Sequence, residues 1–120
     1  MMNKQPSFHV DTQRTEQANS VYLHGELDLS KVSDLRCVLD TFIADTNRKL
    51  VLNLNGLQYI DSIGIGVIVS VLKARDVLKA PFEVQEIPPK IKRLFDLTGI
   101  TPFLQPNEAA GKSQDAFING

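Results

Sequence analysis

The chain has no tryptophan and a single cysteine, Cys37, among its 120 residues. An intrachain disulfide is therefore excluded, and the cysteine usage fits a reducing compartment. Neither charge is in excess: 13 lysines and arginines face 14 aspartates and glutamates, a formal net charge of −1. Generic nucleic-acid binders carry a clear basic surplus, so direct nucleic-acid binding is not expected. Long hydrophobic runs are also missing. The densest, Ile63 to Leu72, is interrupted by two glycines and Ser70 and gives way to Lys73, short of the ~20 apolar residues that span a bilayer. The first residues, "MMNKQPSFHVDTQRTEQ", are polar and lack the apolar centre of a signal peptide. The expectation is a cytoplasmic protein with no membrane partner. No repeat, low-complexity stretch or linker divides the chain, so residues 1–120 read as one domain with a core over about 7–118.

Residues 7–13 and 20–25 read as two short strands joined by the polar "RTEQAN". The second alternates Val21 and Leu23 against Tyr22 and His24, the period of a half-buried strand. From Ser30, a candidate N-cap, to Asp45, apolar residues recur at helical spacing. "KLVLNLNG" supplies a third strand, with Leu50, Leu52 and Leu54 on one face, and a turn ends near Asp61. The run that follows is rich in isoleucine and valine, which favours a strand. Its length, with no turn signal from Val67 to Lys79 and with Val67/Val71 and Ile68/Leu72 four apart, predicts a buried helix instead. Residues 82–87 form a fourth strand, and "PPKIKRLFDLTG" a short helix opened by proline and closed by Gly99. "TPFLQP" is a candidate fifth strand, and the tail from Asn107 a last helix anchored by Phe117 and Ile118. Strands alternating with helices make an α/β layer, helices packed on a mixed sheet of four to five strands.

Several chemistries can be weighed on their residues. Gly64 and Gly66 give two of the three glycines of a dinucleotide fingerprint, with Val69 in place of the third, and Glu83 or Glu86 at the spacing of the ribose acid. A two-glycine match is common, and the phosphate loop ending GK(S/T) is absent. Ser62 has no GxSxG context, and the two histidines, His9 and His24, fall on separate strands, where a histidine without a partner is a structural side chain. No spacing suggests a metal or cofactor site. The chain reads as no enzyme. "KIKR" at 90–93 reads as a solvated helix face, and Cys37 as a small core or surface residue.

Ser62 remains. As an N-cap its oxygen would accept a backbone N–H, worth about 1 kcal/mol. A capping serine, however, needs neither Asp61 before it nor Gly64 and Gly66 after it. The two glycines remove side chains from the first turn and leave amides open, at a helix end carrying about half a positive charge. A phosphate on Ser62 gains from that helix end, with Asp61 opposing it, and leaves the domain folded. Its effect falls on whatever protein docks there.

"VLNLNGLQYIDSIGIGVIV", with "LHGELDLS" at 23–30 and "IPPKIKRLFDLTGITPFL" at 87–104, resembles the bacterial anti-sigma factor antagonists of the STAS-domain family over about residues 8–118. The resemblance implies a STAS-like fold and a partner switch. The unphosphorylated antagonist binds an anti-sigma factor with serine kinase activity and frees a sigma factor. Phosphorylation of the serine after the motif aspartate, here Ser62, releases it, and a metal-dependent serine phosphatase resets it. Mapped onto this chain, the partner covers Asp61, Ser62, Ile63, Gly64, Ile65 and Gly66, with Glu26 and Asp28 from the adjoining "GELD" loop. The family has serine or threonine where this chain has Ile63. A free monomer is expected. The alternatives are a STAS scaffold subunit of a larger signalling or transport assembly, and a small nucleotide-binding protein.

Overall fold

The computed structural model describes residues 8–104. The elements follow in the order β1 (His9–Arg14), β2 (Ala18–Leu27), α1 (Val32–Ile43), β3 (Lys49–Ile60), α2 (Ser62–Val77), β4 (Phe82–Gln85), α3 (Pro89–Thr98) and α4 (Thr101–Leu104), with a 3-10 turn at Leu29–Lys31 between β2 and α1. The sheet order is β1-β2-β3-β4. β1 and β2 form an antiparallel hairpin, while β2, β3 and β4 run parallel. Parallel neighbours need a crossover, and α1 and α2 supply the two.

Alternation sorts the sheet into two faces. Val21, Leu23 and Leu27 of β2, Leu50, Leu52 and Leu54 of β3 and Val84 of β4 join one core with Leu35 and Leu39 of α1, Ile65, Ile68 and Val71 of α2, Ile91 and Phe95 of α3, and Leu104. The other face is polar. There Tyr22 Oη donates to Gln13 Oε1 at 3.3 Å and Lys49 pairs with Glu83 at 2.7 Å.

The helix at 62–77 forms against its β-branched composition. A residue's intrinsic preference is worth at most about 0.7 kcal/mol, whereas burying one Ile or Val side chain contributes about 1.5–3 kcal/mol. Ile65, Val67, Ile68 and Val71 are all buried, so packing wins. Arg75 is buried beside them. Its Nη1 donates to the carbonyls of Phe42, Ile43 and Asp45 and its Nη2 to those of Arg48 and Pro81. The last carbonyls of a helix lack internal partners, so one guanidinium closes the end of α1 and ties it to the entries of β3 and β4. Burial lowers the guanidinium's pKa, and the nearby Asp45 carboxylate partly opposes that.

Three expectations need correction. β3 does not stop at Gly56 before a turn but continues to Ile60. Its pairing with β2 slips twice, between Tyr22 and His24 and between Gly25 and Glu26, each time adding one β3 residue. These bulges shift Leu57 and Ile60 back onto the core side. "TPFL" is a helical turn rather than a fifth strand. Ser30 is not the cap of α1: it sits inside the 3-10 turn, which Asp28 caps, and α1 starts at Val32 with no side-chain cap. Gly99, with φ of 81°, ends α3 in the left-handed region as expected. The last helix expected from Asn107 lies outside the described residues.

Candidate functional site

Parallel sheets place their sites beyond the carboxyl ends of the strands, and the Asp61–Gly66 segment lies there. β2 and β3 finish side by side, with Glu26 opposite Tyr59 and Leu27 opposite Ile60. The Asp61 N–H reaches the Leu27 carbonyl at 3.4 Å, and α2 starts at the next residue.

Asp61, not Ser62, is the cap. Its backbone is extended, with φ −103° and ψ −178°, and its Oδ1 accepts from the Gly64 N–H at 2.9 Å. Its carbonyl accepts the first helical bond, from Ile65 N–H at 3.0 Å. Ser62 is therefore the first residue of α2. Its side chain is exposed, and among the described residues its Oγ has no hydrogen-bond partner. The N–H groups of Ser62 and Ile63 lie ahead of the first helical bond, so the helix cannot satisfy them.

The two glycines differ. Gly64 is buried, and a Cβ there would meet Ile60 Cγ1 at 2.8 Å and Leu27 Cδ2 at 3.1 Å. It lets the first turn of α2 sit down on the ends of β2 and β3. Its N–H is taken by Asp61, so it does not open an amide to a ligand as the sequence reading expected. Gly66 is exposed, with nothing within 4 Å of an added Cβ. A nucleotide loop needs its glycines turned toward phosphate; Gly64 is turned toward the protein's own core.

The segments that end β2 and β3 and begin α2 carry exposed apolar residues, a candidate apolar rim for the site. Ile63 is 46% exposed, Tyr59 47% and Leu29 67%. Each lies, along the chain, within three residues of Leu27 or Ile60, the paired strand ends next to the start of α2, and exposed apolar side chains of this size are candidates for cover by another protein. Ile65 is buried beneath the turn. The carboxylates are disposed differently from one another. Glu26 is half-buried on β2 beside Tyr59. Asp28 Oδ1 accepts from Ser30 N–H at 3.0 Å and from Ser30 Oγ at 2.7 Å, and the hydroxyl's bond chiefly holds its pKa below the usual value. One oxygen of Asp28 thus has a local structural duty, a role the sequence reading missed although Ser30 two residues on signalled it.

The two histidines flank one carboxylate. His9 Nε2 lies 3.0 Å from Asp11 Oδ1 and His24 Nε2 3.2 Å from Asp11 Oδ2 on the polar sheet face across β1 and β2, although among the described residues the buried His24 Nε2 has no hydrogen-bond partner. Cys37 is exposed on α1. Leu29 and Tyr59 were also missed. Tyr59 was assigned to a turn, so no face could be given to it, and Leu29 follows the last buried residue of β2.

Comparison with known proteins gives a consistent picture. A STAS domain model matches residues 9–112. The anti-sigma-B factor antagonist of Staphylococcus aureus (strain NCTC 8325 / PS 47) is 30% identical over 102 residues, covering 85% of this chain and 94% of that protein. The crystal structure of an anti-sigma factor antagonist from Mycobacterium paratuberculosis superposes with a TM-score of 0.75 at 20% identity, over 92% of this chain and 93% of that one. The Bacillus cell fate determinant SpoIIAA in its phosphorylated form superposes with a TM-score of 0.64 at 20% identity, over 90% and 98%.

Proposed function

The chain belongs to the STAS-domain family, and from that premise we propose that it is an anti-sigma factor antagonist switched at Ser62. The relative named an anti-sigma-B factor antagonist and the antagonist structures support the antagonist reading. The observation that carries the switch is the division of work at the start of α2. Asp61 caps the helix, so the Ser62 hydroxyl is exposed and, among the described residues, has no hydrogen-bond partner.

The unphosphorylated protein binds an anti-sigma factor through the surface at Asp61, Ser62, Ile63 and Gly66 with Tyr59, Leu29 and the Glu26–Asp28 edge, and a sigma factor is freed. The anti-sigma factor is itself the serine kinase. It moves the γ-phosphoryl of ATP onto Ser62 Oγ, forming the O–P bond as the bond to ADP breaks and the hydroxyl proton leaves. A metal-dependent serine phosphatase hydrolyses the ester. The chain is ligand and substrate, and supplies no catalytic group.

The energies allow a clean switch. A dianion at the first residue of α2 gains about 0.3–1 kcal/mol from the helix end, and Asp61 opposes it, so the fold changes little. In the complex the same phosphate must be desolvated against apolar rim residues. Disrupting buried interface charge costs about 2–5 kcal/mol, at 1.4 kcal/mol per decade a loss of roughly 30-fold or more. Incubation with the anti-sigma factor and ATP, then peptide mass spectrometry, is the test. The proposal expects one phosphate, on Ser62; an active kinase that leaves Ser62 unmodified rejects it.

A further inference from the structure

Away from Ser62, α3 presents a second surface. Ile91 and Phe95 fix its inner side in the core. At 3.6 residues per turn, Arg93, Leu97, Lys90 and Leu94 follow one another, in that order, across the opposite side. Leu97 is 79% exposed and Leu94 36%. The helix's one acid, Asp96, stands at the flank, where Lys92 Nζ lies 3.4 Å away and Thr101 Oγ1 donates to it at 2.6 Å. The basic cluster read from the sequence as one solvated face is thus three things. Ile91 is core, Lys92 answers Asp96, and Lys90 and Arg93 have no ion-pair partner among the described residues.

A merely solvated helix face would interleave acids with its bases. This one interleaves leucines, and covering a side chain as open as Leu97 takes apolar surface out of water. We propose that this stripe of α3 docks an acidic amphipathic helix of another protein, its aliphatic side chains seated on Leu94 and Leu97 and its carboxylates on Lys90 and Arg93. A guanidinium at Arg93 can take a carboxylate in a two-bond fork. An anionic membrane is the weaker occupant: its attraction grows with the number of basic residues at its surface, and the stripe has only two.

The test uses the full chain and a fluorescein-labelled helical peptide with leucines on one face flanked by glutamates, beside the same peptide with lysines for the glutamates. The glutamate peptide should bind, more weakly as salt rises, and the lysine peptide at least about tenfold less tightly. Lys90→Glu with Arg93→Glu should reverse the preference, and Leu97→Ser should weaken both, with circular dichroism unchanged. Ser62→Asp should leave peptide binding as it is, so the result stands apart from the fate of the proposed switch. No binding, equal binding of the two peptides, or indifference to the α3 variants overturns the proposal. So does loss of binding in Ser62→Asp, or tighter binding to phosphatidylserine vesicles than to the glutamate peptide.

Discussion

At the start of α2, Asp61 and Ser62 hold tasks that one serine would otherwise have to combine. Because the cap bond runs from Gly64 N–H to Asp61 Oδ1, Asp61→Ala should lower stability by about 1 kcal/mol, read as a shift in the urea midpoint. Ser62→Ala should leave both stability and partner affinity near the parent's, while Ser62→Asp should fold normally and bind poorly in a titration. The glycines should also separate. Gly66→Ala meets open space and should stabilise the helix by up to about 1 kcal/mol. Gly64→Ala forces a methyl against Ile60 and Leu27; overpacking of about 1–3 kcal/mol exceeds the helix gain, and the variant should unfold at lower urea. The motif was visible in the sequence as a string of residues, and so was the exposure of its serine. Which neighbour caps and which glycine packs was not, because both depend on where β2 ends, a contact between residues more than thirty positions apart.

Among the elements, Arg75 carries more than its position suggests. It follows Val71 by four and Ile68 by seven residues, on the buried side of α2, but a charged residue near a helix end reads as solvated. Five backbone carbonyls converge on it. Arg75→Ala should destabilise by about 3–5 kcal/mol, since removing one member of a buried polar set leaves the rest unsatisfied. Arg75→Lys should recover only part, for want of the planar fork; thermal unfolding of both variants reads this. The helix at 62–77 was legible despite its β-branched residues because length and i,i+4 spacing outlast local preference. The end of β3 was not. The alternation of Leu50, Leu52 and Leu54 breaks at Asn55-Gly56, and only pairing with β2 shows that two bulges restore it. "TPFL" failed as a strand for a related reason. Four residues carry too little period to distinguish a strand from a helical turn, and Leu104 is buried in either case.

For the molecule as a whole, hydrogen bonds set a stability limit on the acid side. Asp45 is held below its usual pKa by Asn19 and then Arg48, Glu83 by Lys49, and Asp96 by Thr101 and then Lys92. Groups with lowered folded pKa values stabilise fully above the unfolded values of 3.8 for aspartate and 4.5 for glutamate, and lose that contribution as pH falls through the folded values. The urea midpoint should therefore be flat near neutrality and fall below about pH 4.5. The layered α/β plan and the order of elements as far as α3 were readable from periodicity together with segment length and proline and glycine signals. The exposure of Leu29, Tyr59 and Ile63 was not, since it depends on where β2 and β3 end and α2 begins. The most direct measurement is calorimetric: the affinity of the cognate anti-sigma factor for this protein with and without phosphate on Ser62, alongside circular dichroism of both forms. Unchanged spectra with binding weakened about 30-fold or more are predicted. Equal affinity of the two folded forms would contradict the account.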